Sequence, residues 1–158
     1  MNEQVSLRRY NPQKDQHVLE NYHLINDRFT AHPKEKVKEL DEDQQLFPLF
    51  ICKEETVVGF FCLNGYPAAE AFSNNSKALL LRTLSTDERY RGRGLGKAGM
   101  QALETFLPLE FPECDEIVLA VNHQNVLAQT LYREIGFEDT GKRLNGPLGQ
   151  QYVYRKQY

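Results

Sequence analysis

Apolar residues along the chain switch between two periods, and the switches mark out its elements. Val5 to Tyr10 alternates apolar and polar, which predicts a first strand, and Asn11-Pro12 breaks it. From Pro12 to about Phe29, the residues Val18, Tyr22, Ile25 and Phe29 recur at three- and four-residue spacing and predict one helix with a single apolar face. Pro33 to Gln45 is charged, with Val37 and Leu40 its apolar anchors, and predicts a short helix running into Asp41-Glu42-Asp43. Leu46 to Lys53 and Thr56 to Leu63 read as the arms of a hairpin joined at Glu54-Glu55. That turn sets Cys52 opposite Val57 and Cys62 opposite Phe47. Asn64-Gly65-Tyr66-Pro67 ends the second arm, and a loop runs on through Asn75. Ala78 to Ser85, apolar almost throughout, predicts a central strand buried on both faces.

From Leu95, the set Leu95, Ala98, Ala102, Leu103 and Phe106 fits one helix face, with Pro108 as its stop. Glu116 to Val121 is a second buried strand. Asn122 stands where a cap is wanted for a helix running to Ile135, with Leu127, Leu131 and Ile135 on its core face and Gly136 at its left-handed end. Phe137 to Leu144 and Gln150 to Tyr154 close the chain as an antiparallel pair around Asn145-Gly146-Pro147. The order is strand, two helices, three strands, helix, strand, helix, two strands. It predicts an α/β fold with a mixed, mostly antiparallel twisted sheet of about seven strands and flanking helices, whose parallel pair comes from the strand–helix–strand in the middle.

Composition narrows the class. At 158 residues the chain suits one domain spanning 1–158. A net charge of -3 argues against a nucleic-acid binder. No apolar run approaches the length of a membrane span, and Met1-Asn2-Glu3 opens a polar start, so no membrane association and a cytoplasmic location are expected. Three cysteines, an odd number without metal-ligand spacing, fit a reducing compartment. His17, His23 and His32 do not place two imidazoles on one face with a carboxylate, so no metal is expected. His23 and Asp27, four apart, form a solvent-exposed pair or line a substrate pocket.

Against this acidic background one stretch stands out: Arg91-Gly92-Arg93-Gly94-Leu95-Gly96-Lys97, three glycines and three cations at the start of a helix, with Arg89 just before. Alternate glycines leave backbone N–H groups open to an anion, and the helix start adds unpaired N–H groups and the positive end of its dipole. This is a diphosphate cradle. A nucleoside-triphosphate loop is excluded, because Arg91 stands at its first-glycine position and Ala98 where a Mg²⁺-binding hydroxyl is needed. Gly94-Leu95-Gly96-Lys97-Ala98-Gly99 matches the dinucleotide pattern. However, about nine residues separate it from the strand, where that motif needs a tight turn.

The remaining pattern, Arg91-x-x-Gly94-x-Gly96, resembles that of the GCN5-related N-acetyltransferase superfamily. The resemblance covers Leu84 to Gly96 and a second block, Asn122 to Tyr132 followed by Gly136-Phe137. It implies the superfamily's acyl-CoA N-acyltransferase fold, with the central parallel pair splayed apart, and acetyl-CoA as co-substrate. It places the CoA pyrophosphate on Arg91, Gly92, Arg93, Gly94, Leu95, Gly96 and Lys97, and pantetheine against the backbone of Leu84, Ser85 and Thr86. The Leu84 N–H then serves as a donor to the thioester oxygen. Asn125, Ala128 and Tyr132, at three- and four-residue spacing, share a helix face that the resemblance turns toward the CoA arm, with Tyr132 protonating the departing thiolate. The expected reaction is direct attack by a primary amine of a small molecule or peptide, in a monomer or homodimer. The central strand lacks the carboxylate that many members use as base, and Arg82 is its sole charge. Glu70, Asp27 or another loop carboxylate is the candidate end of a water-mediated route. The same missing base supports an alternative: a non-catalytic module that responds to CoA or acetyl-CoA.

Overall fold

The computed structural model describes residues 4–24 and 29–158. Ile25 and Asp27 therefore lie outside the described residues, as do Met1 to Glu3.

The described residues form one seven-stranded sheet in the order β1-β2-β3-β4-β5-β7-β6. Its strands are β1 (Val5–Arg9), β2 (Leu46–Lys53), β3 (Thr56–Asn64), β4 (Ala78–Thr86), β5 (Glu116–Asn122), β6 (Glu138–Gly146) and β7 (Gly149–Gln157). Only β4 and β5 run parallel; every other pair is antiparallel. The crossover between them carries α3 (Leu95–Gln101) and α4 (Leu103–Glu110), and α5 (Val126–Glu134) follows β5. Two short N-terminal helices, α1 (Gln16–Glu20) and α2 (Pro33–Lys36), lie before β2. The mixed seven-stranded fold expected from the pattern is the fold observed.

Two hydrophobic layers hold the helices to the sheet. The larger joins Leu49, Ile51 and Phe61 of the sheet to Met100 and Leu103 of the crossover and to Tyr132 and Ile135 of α5 and its end. The other gathers Leu19 and Tyr22 against Phe50, Phe60 and Cys62.

Several local expectations are corrected. The helix read over Pro12 to Phe29 is, among the described residues, a single five-residue turn at Gln16–Glu20. Buried Asp15 there accepts hydrogen bonds from Arg8 and the Asn11 N–H, and Tyr22 packs from a non-helical segment. The β2–β3 hairpin sets Cys52 opposite Val57 as expected, but a bulge at Ile51/Cys52 moves Cys62 opposite Pro48 rather than Phe47. Both thiols are free and buried. Pro108 does not stop its helix, which continues to Glu110. It lies on the exposed side of the helix. Leu127 of α5, expected on the core face, is 87% exposed; Gln129 and Tyr132 face inward instead, while Ile135 just past the helix is buried as expected.

Gly99 shows why the crossover helix sits so close to the sheet. A Cβ added there would meet Ile51 Cδ1 at 2.6 Å and its Cγ1 at 2.8 Å. The third glycine of the apparent dinucleotide pattern thus serves helix-on-sheet packing. Gly99→Ala should lower stability by about 1–3 kcal/mol through overpacking, measured as a reduced midpoint in urea with an unchanged slope.

Candidate active site

The central parallel pair is short. Backbone pairing of β4 with β5 covers Ala78, Leu79 and Leu80 against Glu116, Ile117 and Val118, and beyond these the strands part. On its other side β4 is bulged: Phe60 pairs with Ser85 and Cys62 with Arg82, so Phe61 alone faces Thr83 and Leu84. Thr83 takes a φ of +62°, a conformation strained for a β-branched residue. The bulge bends β4 away and half-exposes Arg82, Thr83 and Leu84, which corrects the expectation of a strand buried on both faces throughout. Between the diverging strands opens a cavity of about 380 Å³. Its walls come from Leu81 to Leu84 of β4, Ala120 to Asn122 of β5, Asn125, Ala128, Leu131 and Tyr132 at α5, Pro147 and Leu148 of the last turn, Gln151 of β7, and Phe29 and Thr30 before α2.

Three of the residues expected on one helix face therefore meet in the cleft. Asn125 is the cap of α5, its Oδ1 accepting from the Ala128 N–H at 3.3 Å. Asn122, expected in that role, instead ties the cleft together. Its Oδ1 accepts from the Gln124 N–H at 2.8 Å, and its Nδ2 donates to the Leu148 carbonyl at 3.0 Å. Buried Gln129 donates to the carbonyls of Asn122 and His123, each at 3.1 Å, and so clamps the end of β5 to α5. Neither Gln129 nor the Pro147-Leu148 wall was legible in the sequence, because each acts through a distant backbone partner.

Tyr132 is 8% exposed and its ring lies 5.9 Å from that of Phe137. Desolvation by burial pushes its phenol up to about 12. It stays protonated at neutral pH and has a proton to donate into the cleft.

The glycine loop precedes α3 as expected. Gly92 and Gly94 adopt positive φ, +78° and +71°, which other residues take at a cost, and Gly94 is the residue that starts the helix. A Cβ at either would meet no protein atom within 4 Å, and at Gly96 it would meet only Thr86 Oγ1, at 3.5 Å. The space in front of the loop is open to an anion. The cations are differently placed. Arg93 lies over the Tyr90 ring at 5.8 Å, and Lys97 pairs with Glu134 at 3.2 Å, linking α3 to α5. Arg91 is exposed. At the strand end leading to the loop, Leu84 lines the cleft. The buried Ser85 hydroxyl is 2.8 Å from the Tyr22 hydroxyl, so that side chain is engaged away from the cleft.

A second cavity, about 400 Å³, shares Leu81, Arg82, Thr83, Ala120 and Gln151 with the first and adds Lys36, Glu39, Phe72 and Leu80. The two cavities thus adjoin at these residues, one on the α5 side and one on the side covered by α2. Glu39, within the stretch read from sequence as a charged short helix, is the one carboxylate among the described residues lining either cavity. It is held by the buried Lys36 ammonium at 3.0 Å. Glu70 sits exposed on the turn Ala68–Ala71, outside both walls. Among the described residues, no cluster of His, Cys, Asp or Glu is arranged to hold a metal ion, and no helix is long and apolar enough to cross a membrane.

The model of the acetyltransferase (GNAT) family matches residues 18–137. The uncharacterized N-acetyltransferase YbbJ of Bacillus subtilis (strain 168) is 42% identical, the match covering 97% of each chain. The spermine/spermidine N(1)-acetyltransferase of the same organism is 34% identical over 60% of this chain and 61% of its own. Among solved structures, the aminoglycoside acetyltransferase AAC(6')-Ib with coenzyme A and kanamycin aligns with a TM-score of 0.75 at 17% identity, over 98% of this chain and 95% of that one. Arabidopsis thaliana NAA60 with a bisubstrate analogue gives 0.66 at 18% identity, over 98% and 99%.

The loop and the strand are joined by Asp87, a buried carboxylate in the first of the two resembling blocks. It accepts from the N–H groups of His23 and Arg89 and is paired with the Arg89 guanidinium at 2.8 Å. Burial opposes its charge, but these donors hold its carboxyl below the usual range. Asp87→Ala leaves the donors unmatched and should cost about 1–3 kcal/mol at neutral pH. A depressed carboxylate contributes stability above its unfolded pKa, about 3.9, and loses it as pH falls through the folded value. The gap between wild type and variant, read from urea midpoints, should therefore be full at pH 6 and shrink in acid below the unfolded pKa.

Proposed function

The chain belongs to the acetyltransferase (GNAT) family, and on that premise we propose that it transfers the acetyl group of acetyl-CoA to a primary amine by direct attack, with the cleft between β4 and β5 as its reaction chamber. The observation that carries this reading is the pair of adjoining cavities where β4 and β5 part. Leu84, on the strand that leads to the glycine loop, lines the first of them, as does a tyrosine that keeps its proton at neutral pH, and the second lies on the α2 side.

In this proposal the loop from Arg91 to Lys97 receives the pyrophosphate, chiefly through backbone N–H groups at the start of α3. The backbone of Leu84, Ser85 and Thr86 runs beside the pantetheine arm, and the Leu84 N–H donates to the carbonyl oxygen as it gains charge. Asn125 and the small Ala128 flank the arm. The amine nitrogen attacks the thioester carbon from the α2 side, the C–S bond breaks, and Tyr132 donates to the departing sulfur. With the phenol near 12 and a free thiol near 8.5, full proton transfer is uphill, so Tyr132 acts mainly by hydrogen bonding to the thiolate.

Direct attack is favoured over a thiol intermediate by where the cysteines lie. Cys52, Cys62 and Cys114 are absent from the walls of the gap, and desolvation raises all three thiols, Cys62 to about 12. Glu39 is committed to Lys36, so the proton of the attacking amine leaves through solvent. The acceptor is a small-molecule or peptide amine. The relatives named for spermine, spermidine and aminoglycosides place polyamines and amino sugars among the first compounds to test. The proposal takes the chain as one catalytic domain, acting in the cytoplasm as monomer or homodimer.

Acetyl-CoA at a hundredfold above its dissociation constant should add about 2.7 kcal/mol of stability, roughly 5–10 °C in melting temperature for a chain of this size. Gly96→Val should abolish the shift, and the Cβ itself is accommodated at an ordinary 3.5 Å from Thr86 Oγ1, with the melting temperature of the free variant as the check on its fold. Gly94→Val is a poorer probe because the positive φ strains the fold by itself. No shift with acetyl-CoA, and a shift with ATP or NAD instead, would remove the reading; a shift without thiol release on any amine would leave a CoA-responsive module.

Tyr132→Phe keeps the ring against Phe137 and should preserve acetyl-CoA affinity while lowering turnover by about 10²–10⁴-fold. Because the phenol titrates near 12, the wild-type rate should rise with pH toward the amine's own pKa with no descending limb from Tyr132 below pH ~10. Turnover within a few-fold of wild type, with an earlier melt, would make Tyr132 a packing residue.

A further inference from the structure

Arg82 stands where the two cavities meet and belongs to the walls of both. It is the charge on a strand whose other residues are apolar or hydroxylated, and the bulge at Thr83 leaves it half-buried. Its Nη1 donates to Asn64 Oδ1 at 2.9 Å. Asn64 is fully buried, and its own Nδ2 donates to Asp43 Oδ2 and to the Gln45 carbonyl, each at 3.0 Å. The amide is thus fixed in one orientation, and it fixes the guanidinium. A guanidinium has five N–H donors, and one is used here. Among the described residues no carboxylate lies within ion-pair distance of Arg82; Asp43 reaches it only through the neutral Asn64 amide.

The surrounding charges sharpen this. The other charged residues on the two walls among those described are Lys36 and Glu39, which neutralise each other at 3.0 Å. Among the described residues, the walls therefore carry one net positive charge, held at Arg82. A cation in that space is repelled, whereas a carboxylate finds a planar donor fork held in place beforehand. We infer that Arg82 binds a carboxylate of the acceptor, so that the amine taken by this enzyme is zwitterionic, of the amino-acid class, rather than a polyamine. The inference rests on the acetyltransferase reading of the same cleft. Arg82 touches the acceptor and sets specificity; it takes no part in the acyl transfer.

The test uses matched acceptors that differ in one carboxylate: ornithine against putrescine, and methionine against 3-methylthiopropylamine, with spermine and spermidine alongside. Each is assayed by acetyl-CoA-dependent thiol release with the full-length protein. Wild type should show kcat/KM at least about tenfold higher for the carboxylate-bearing member of a pair, in keeping with a charge-assisted hydrogen bond in a partly dry site. In Arg82→Gln that ratio should collapse, mainly through KM, while acetyl-CoA still raises the melting temperature. Arg82→Lys, which keeps the charge and loses the fork, should recover part of the ratio and serves as the second variant if the first does not fold. Equal or better use of the decarboxylated partners, spermine or spermidine as the best acceptors, or a ratio that survives Arg82→Gln overturns the inference and leaves the transferase intact. Absence of both thiol release and an acetyl-CoA melting shift removes the transferase reading and this inference with it.

Discussion

The candidate site depends on β4 and β5 pairing for three residues and then separating. A parallel pair continued to its end would fill its hydrogen bonds and leave no chamber. Two features keep it from continuing. Thr83, in a left-handed conformation costing about 1–3 kcal/mol, bulges β4 against β3. Beyond the paired segment, β5 keeps β7 as its partner along its whole length, Glu116 to Asn122, so its far side loses nothing when β4 leaves. Strain is held at one residue while antiparallel ladders on both sides bear the sheet.

The chamber is then finished by elements that meet only because the strands part. α5 begins where β5 ends, and the Asn122 and Gln129 side chains weld that junction to each other and to the last turn. This places Asn125, Ala128 and Tyr132 along one wall with Leu148 beside them. Burial of Tyr132 in the same layer as Met100 and Leu103 is what raises its phenol, so packing there also sets the protonation of the side chain.

On the opposite side the polar groups are few and tightly assigned. Lys36 is buried against Glu39, and Arg82 is anchored through Asn64 to the segment that carries Asp43. Buried polar groups with full partners specify one arrangement, and here they orient a cation toward open space. The cradle end works differently. Arg93 and Lys97 are tied to Tyr90 and Glu134, so the face offered to an anion is chiefly backbone, organised by Gly92 and Gly94.

The sequence by itself determined the elements, their order and the two blocks that matter. Alternation located the strands, three-four spacing located α5, and the glycine run located the cradle, because each signal is local and repeats within a few residues. It failed where the deciding contact is distant. The long N-terminal helix gave way once Tyr22 packed on the sheet and bonded Ser85, 63 residues away. Leu127 went to solvent because α5 turned Gln129 inward to reach the backbone behind Asn122. The hairpin slipped by one residue at Cys62 because a bulge leaves no mark in the apolar pattern. Only the tertiary structure decided that Arg82, Glu39 and Lys36 share one opening, that Gly99 answers to Ile51, and that the central pair splays, since all of these follow from how strands in one sheet compete for the same backbone partners.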